Sequence, residues 1–283
     1  MKIFYLLTAL SVFLVSHGLL LTKVEPVATY FFVFVWWFYI FLVDAFLFWK
    51  KGDSLIVRLK AKFPLLIVAS ACFWIFFEVL NLRIANWHYP GHSLSLAVKI
   101  IFGLFAFGSV IPGILETHEL LQYIGLGRRL EFLGWERSKR LLTWRWWGRP
   151  HYIWTAAGIG MISLALLWPS YFFWAIWPAA IFILDPQVEK NKGNSMFSGM
   201  RRGNIRTFYR LCLTGLTCGM LWEIWNHWAG LKWVYEVPFV GGWKIFEMPL
   251  LGYFGYTFFA VGCYLYYELL RCYWRRFRQP TFV

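Results

Sequence analysis

The chain has 283 residues, of which 60% are hydrophobic, 22% are aromatic and only 15% are charged. Soluble domains carry about 25% charged residues, so this composition excludes an ordinary soluble globular protein. The 19 Trp and 29 Phe exclude a disordered chain, and 5 Cys are too few for a disulfide scaffold. The composition therefore predicts an all-α fold, a polytopic membrane helical bundle.

Apolar runs of about 18 or more residues are long enough to cross the hydrocarbon layer of a membrane as helices. The chain has apolar runs at residues 3–21, 27–48, 64–82, 94–115, 152–168, 170–184, 207–228 and 245–270, of which the sixth is short. They predict about eight transmembrane helices. No small-x-small cleavage site follows the first run, so we expect a span there rather than a signal peptide.

Most of the 28 Lys and Arg residues lie near the N terminus, after the second, fourth and sixth runs, and in the tail. Because such residues accumulate on the cytoplasmic side, we expect a multi-pass protein of the cell or inner membrane with both termini cytoplasmic. The net charge of +14 then reflects this orientation in the membrane. The same positive charge attracts anionic lipid. No nucleic-acid partner is expected.

Residues 116–151 mix Leu, Phe and Trp with Arg and Lys and contain no long apolar run after the fourth span. This composition is typical of a helix that lies in the headgroup plane, so we predict a basic, amphipathic cytoplasmic interfacial segment. We interpret it as a membrane anchor rather than a partner-binding site. Residues 276–283 are predicted to form a cytoplasmic tail.

The two halves of the chain resemble each other. Residues 30–54, laid without gaps on residues 171–195, share ten identities in 25 positions, several of them polar. Three further pairs of motifs follow in the same order: Glu78-Val-Leu-Asn81 with Glu223-Ile-Trp-Asn226, Trp87-x-Tyr89 with Trp233-x-Tyr235, and Glu119-Leu-Leu with Glu268-Leu-Leu. We infer a tandem duplication of a four-helix unit, with parallel repeats at 1–125 and 150–275.

Two carboxylates occupy equivalent places in the two repeats, each about one turn inside the outer end of a span. An intramembrane carboxylate costs about 2.5 to 3.5 kcal/mol on insertion scales, so it needs partners and is a functional candidate. Glu78 and Glu223 each have an Asn at i+3, and His227 follows Glu223 at i+4. This spacing predicts that Asn81 and Asn226 share a helix face with the carboxylates.

The outer loops add aromatic and titratable residues near these carboxylates: Trp87, His88, Tyr89, His92, Trp233, Tyr235 and Glu247. One interpretation is an outward-opening or lipid-facing pocket for an apolar substrate. In that pocket, proton transfer is assigned to Glu78, Glu223, Glu247 and His227. Substrate binding is assigned to Asn81, Asn226, Trp87, Tyr89, Trp233 and Tyr235.

The alternative is structural. Each Glu–Asn pair would then clamp the following loop by accepting hydrogen bonds from its Trp indole and backbone amides. Glu247 would pair with Lys244. Asp44, Asp185, Glu119 and Glu268 lie at cytoplasmic helix ends beside Lys and Arg, which favours capping and ion pairing.

Metal and cofactor sites are not predicted. Glu and His side chains can ligate metals, but their spacing here matches no specific pattern such as H-E-x-x-H. The expected partners are membrane lipids and an apolar small molecule, and the sequence does not set an oligomeric state.

One string in the second half of the chain resembles a known group of enzymes: Glu223, Trp233-x-Tyr235, Gly241-Gly242, Pro249-Leu-Leu and Gly255-Tyr256. It resembles polytopic carotenoid-modifying membrane enzymes of the lycopene cyclase-domain and carotenoid hydratase families. In those families, membrane-embedded carboxylates protonate an isoprenoid double bond. The resemblance implies that Glu223 and Glu247 are the corresponding acids.

Three functional classes follow from these observations. The first is an enzyme that acts on a membrane-embedded isoprenoid or lipid by acid–base chemistry. The second is a transporter or channel with a site at the repeat interface. The third is a membrane scaffold or assembly subunit, whose Trp-rich surface would bind other proteins.

Overall fold

The computed structural model describes residues 1–90, 96–126, 150–202 and 204–276. Its helices are α1 Lys2–Leu21, α2 Phe31–Lys51, α3 Leu55–Leu59, α4 Phe63–Ile84, α5 Leu96–Gly108, α6 Val110–Tyr123, α7 His151–Leu167, α8 Pro169–Phe172, α9 Ile176–Lys190, α10 Met196–Arg201, α11 Arg206–Trp228 and α12 Tyr253–Arg276. Short strands are β1 Trp87–His88, β2 Val234–Tyr235, β3 Lys244–Ile245 and β4 Met248–Pro249. Turns of 3₁₀-helix cover Lys60–Lys62, Phe173–Ala175 and Leu250–Gly252.

The prediction of a mainly helical chain is confirmed. Within the described residues, five helical segments are long and apolar enough to cross a membrane: Lys2–Leu21, Phe31–Lys51, Leu55–Ile84, Ile100–Tyr123 and Pro169–Lys190. Helix α7 is apolar but shorter, at 17 residues. Most of the predicted interfacial segment, the tail beyond residue 276, and His92 lie outside the described residues.

The ends of α2 and α4 follow from local sequence. Helix α2 ends at Gly52, whose φ of +73° lies in the left-handed region that glycine adopts without strain, and whose N–H bonds to the Phe48 carbonyl. Helix α4 has a proline in its first turn, where the missing N–H breaks no intrahelical bond. Backbone chemistry therefore suits both the end of α2 and the start of α4.

The predicted span at 94–115 is divided in the structure into α5 and α6, and α6 continues to Tyr123. At the break, the Ser109 hydroxyl donates to the Ala106 carbonyl over 2.7 Å. The Ser70 hydroxyl accepts from the Ile111 N–H over 3.0 Å and donates to the Phe107 carbonyl over 2.7 Å. Pro112 follows and has no N–H to continue the helical ladder.

The predicted span at 245–270 begins later than expected, because α12 starts at Tyr253. The preceding residues form an antiparallel hairpin in which Lys244 pairs with Pro249 and Ile245 with Met248. The first turn residue, Phe246, has a φ of +56°. Hydropathy measures side-chain polarity and does not detect backbone pairing. The hairpin therefore could not be predicted from the apolar run.

Two compact units make up the chain. Unit 1 comprises Met1–Tyr123 and Leu216–Tyr253. Its core is aromatic: Trp36 is completely buried, and its ring centroid lies 4.9 Å from those of both Trp222 and Trp225.

Unit 2 comprises Ile124–Gly215 and Phe254–Val283. Its core is a cluster of buried side chains: Ile181, Val188, Met196, Phe197, Met200, Leu211, Val261 and Leu265. The buried Asp185 carboxylate caps α10 by accepting from the backbone N–H groups of Met196 and Phe197, over 2.6 and 2.9 Å. In unit 1, the Asp44 carboxylate similarly accepts from the Ile56 N–H in α3, over 2.9 Å.

Candidate functional site

Glu78, near the end of α4, has one carboxyl oxygen surrounded by three donors. Its Oε1 accepts from the Trp74 indole over 2.8 Å, the Trp87 indole over 3.2 Å and the Tyr89 hydroxyl over 2.6 Å. None of the described residues donates to Oε2, and the side chain is only partly buried. Among the described residues, the carboxyl group is thus held by hydrogen bonds through one oxygen only.

The surface beside Glu78 is apolar. Ile75, Val79 and Leu82 on α4 are exposed, and the Tyr89 side chain is 47% exposed. Exposed apolar side chains on a membrane-spanning helix contact lipid. Glu78 itself is partly exposed, so it lies beside a surface that an apolar molecule in the membrane can reach.

Tyr89 is held as a hydrogen-bond donor. Desolvation of its phenol, followed by the charge of the Glu78 carboxylate and the hydrogen bond to it, raises the pKa of Tyr89 well above its ordinary value. The hydroxyl consequently keeps its proton through the neutral and mildly alkaline range. A donor–acceptor distance of 2.6 Å is typical of a charge-assisted O–H···O⁻ bond.

Asn81 and Asn226 hold the loops that follow their helices. Asn81 Nδ2 donates to the Trp87 carbonyl over 2.7 Å, and its Oδ1 accepts from the Asn86 N–H over 2.9 Å. Asn226 Nδ2 donates to the Trp233 carbonyl, and its Oδ1 accepts from the Trp233 N–H, both over 2.9 Å. Both amides are therefore engaged by backbone, which favours the clamp interpretation over substrate binding.

We expect Asn226→Ala to lower the free energy of unfolding by about 2 kcal/mol, because it leaves the partly buried carbonyl and N–H of Trp233 without their side-chain partner. Asn226→Asp keeps an acceptor for the N–H and should cost less. Unfolding by sodium dodecyl sulfate in mixed micelles, followed by circular dichroism, measures both. If Asn226→Ala kept full stability but lost a bound lipid, the amide would contact substrate instead.

Glu223 has a different environment from Glu78. It is completely buried in unit 1. The Trp233 indole donates to the Tyr235 hydroxyl over 2.7 Å, whereas the equivalent Trp87 donates to Glu78. The two carboxylates thus occupy equivalent positions in the sequence but differ in solvent exposure.

The structure brings the two predicted aromatic loops together. Strands β1 and β2 are antiparallel, with Trp87 opposite Tyr235 and His88 opposite Val234. The Asn86 carbonyl accepts from the Glu236 N–H over 2.9 Å, which extends the pairing. Four of the predicted substrate-binding residues consequently lie on or next to one short ribbon: Trp87, Tyr89, Trp233 and Tyr235.

His227 and Glu247 are placed less centrally. The His227 side chain is exposed, and its ring lies 5.4 Å from that of Phe246, whereas Glu223 on the same helix is buried. Glu247 accepts from Lys232 over 2.8 Å, so its ion-pair partner is not Lys244. Lys244 instead donates to the Tyr235 carbonyl.

Sequence reasoning missed Trp74 as a partner of Glu78. The signal was present, because Trp74 precedes Glu78 by four residues and therefore lies on the same helix face. The equivalent place before Glu223 is Gly219, so Trp74 is not part of the motif that the two halves share.

Among the described residues, no group of three or more His, Cys, Asp or Glu is placed to hold a metal ion. Comparison of the chain with protein-family models, curated proteins and solved structures finds no match.

Proposed function

We propose that the protein is a membrane enzyme that acts on a membrane-embedded isoprenoid or related lipid, with Glu78 as the group that transfers a proton. The observation that carries this proposal is the asymmetry of the Glu78 carboxyl. One oxygen accepts from three donors, none of the described residues donates to the other, and the partly exposed side chain lies among exposed apolar residues of α4. Intramembrane carboxylates with this access are suited to proton transfer to apolar substrates.

The three donors have a defined role in this chemistry. Glu78 first takes up a proton from solvent on Oε2 and then gives it to an isoprenoid double bond, which leaves a carboxylate and a carbocation. The carbocation returns a proton to the carboxylate, so a double bond forms again and the carboxyl group is restored. Trp74, Trp87 and Tyr89 stabilise that carboxylate through Oε1 without having to move. Tyr89 can do so because its raised pKa keeps its own proton in place.

The resemblance to carotenoid-modifying enzymes implies Glu223 and Glu247 as acids, but their surroundings suit that role less well. Glu223 is completely buried, and Glu247 is paired with Lys232. We therefore assign the proton-transfer step to Glu78, and give Glu223 and His227 no direct contact with substrate.

The proposal includes the finer topology of eight spans, two parallel four-helix repeats and cytoplasmic termini in the cell membrane. Equivalent contacts in the two halves support the duplication. Asn81 and Asn226 each hold the Trp of the following loop, and Asp44 and Asp185 each cap a short helix. By this topology, the Glu78 site lies at the outer edge of the membrane.

The test uses protein reconstituted with isoprenoid lipids extracted from the source membrane, incubated in D₂O. Protonation of a double bond adds deuterium to carbon, and mass spectrometry detects it. We expect Glu78→Gln to slow deuterium incorporation about 10²- to 10⁴-fold, the contribution typical of a general acid. The matched control is Glu236→Gln, which alters an exposed carboxylate of the neighbouring strand region and should leave the rate unchanged.

Equal rates in the Glu78→Gln variant and the wild type would contradict the assignment. If no isoprenoid exchanged deuterium with either protein, and only bulk phospholipid co-purified, a carrier or scaffold would be the better description.

A further inference from the structure

A second pair of carboxyl groups lies inside unit 1 and takes no part in the Glu78 site. Asp44 on α2 and Glu116 on α6 are both completely buried. Helices α2 and α6 pack against each other and bring these two carboxyl groups together. Two ionised carboxylates brought together in an apolar interior repel each other strongly.

The two carboxyl groups differ in how their oxygens are used. Asp44 accepts from the Tyr5 hydroxyl over 3.2 Å through Oδ2 and from the Ile56 N–H over 2.9 Å through Oδ1. Neither oxygen of Glu116 receives a hydrogen bond from any described residue. Asp44 is therefore placed to hold negative charge, whereas Glu116 is not.

Nearby cations are engaged elsewhere. Arg58 pairs with Asp53 and Glu119, and Lys51 pairs with Glu119 over 3.2 Å. The charged and titratable groups that act on the pair or contact its members are Tyr5 from α1, Tyr39 from α2, Arg58 from α3 and Glu119 from α6. None of these described groups supplies a hydrogen-bond donor to Glu116.

The second repeat has no carboxyl at this place. In the register that aligns Glu119 with Glu268, Glu116 corresponds to Leu265, which is completely buried in the core of unit 2. This step rests on the proposed duplication. Because Leu265 packs in the core of unit 2, a carboxyl group is not needed for packing at this position of the repeat.

We propose that Asp44 and Glu116 form a proton-binding site. Glu116 carries the proton and donates it in a hydrogen bond to the Asp44 carboxylate. The pair then holds one proton and one negative charge. Shared protons of this kind are a recognised solution for two carboxyl groups in one buried site.

Infrared spectroscopy of the full-length protein in lipid nanodiscs tests the proposal. A protonated carboxyl group has a C=O stretching band that is separate from the carboxylate bands and shifts in D₂O. We expect Glu116→Gln to lose the band intensity of one protonated carboxyl per chain at neutral pH. The matched control, Glu119→Gln, removes a carboxylate that is already paired with Lys51 and Arg58, so it should keep that intensity.

Folding of the variants is part of the test. The amide of Gln places an N–H donor where a protonated Glu has its O–H, so Glu116→Gln should fold with wild-type stability. Failure of this variant to fold would contradict the proposal, as would an unchanged infrared band.

Discussion

Gly215→Ala is expected to destabilise the protein by about 3 kcal/mol, at the upper end of the range for overpacked cores. A Cβ at Gly215 would lie 2.2 Å from the carbonyl oxygen of Tyr256 and 2.8 Å from the Cα of Thr257. Both are backbone atoms of α12, so no side-chain rotation can relieve the clash. Helices α11 and α12 would have to separate along their whole contact in unit 2.

Such close backbone approach lets two helices gain van der Waals contacts along their crossing. The control is Gly160→Ala in α7, where an added Cβ would meet nothing within 4 Å. Alanine favours a helix over glycine by up to about 1 kcal/mol, so this variant should be as stable as wild type or more stable. Unfolding of both variants in mixed micelles gives the comparison.

Equal stability of the two alanine variants would contradict the close crossing of α11 and α12. Loss of stability in both would instead indicate that glycine is needed for flexibility rather than for space.

Hydropathy predicted many helices well because a membrane span is defined by length and polarity. Helices α1, α2 and α11 begin and end within a few residues of the predicted runs. The predicted helix boundaries are wrong where backbone hydrogen bonding, rather than hydropathy, determines where a helix begins or ends. Ser109 and Pro112 divide one apolar run into α5 and α6, and the hairpin before Pro249 delays the start of α12.

The candidate site was predictable in composition but not in arrangement. Helical spacing put Glu78 and Asn81 on one face, and the repeated motif pointed to Trp87 and Tyr89, which the structure brings to them. The difference in burial between Glu78 and Glu223 could not be predicted. It depends on which helices pack against each carboxylate, and equal positions in two repeats carry no information about that.

The two-stranded ribbon that joins the two loops also could not be predicted from the sequence. Strands β1 and β2 have only two residues each, and they are separated by more than half of the chain. Local sequence patterns cannot predict a pairing that is both so short and so distant. The Asp44–Glu116 pair could not be predicted either. Glu116 corresponds to an apolar residue in the second half, so it lies outside the motifs that the two halves share.

Asp185→Ala is expected to lower the free energy of unfolding by about 4 kcal/mol. The buried Asp185 carboxylate accepts from the Ser195 hydroxyl over 2.8 Å and from the backbone N–H groups of Met196 and Phe197. The two N–H groups belong to the first turn of α10 and have no partner within that helix. Each buried donor left unsatisfied costs about 1 to 3 kcal/mol, so three together produce a large loss.

Two further variants separate this cap from a general effect of charge. Asp185→Asn keeps one acceptor oxygen and should lose about half as much stability. Asp53→Ala removes an exposed carboxylate that pairs with Arg58, and exposed pairs contribute at most about 1 kcal/mol. If Asp185→Ala proved no more harmful than Asp53→Ala, α10 would be held by its buried side chains Met196, Phe197 and Met200, and the carboxylate would be dispensable for the fold.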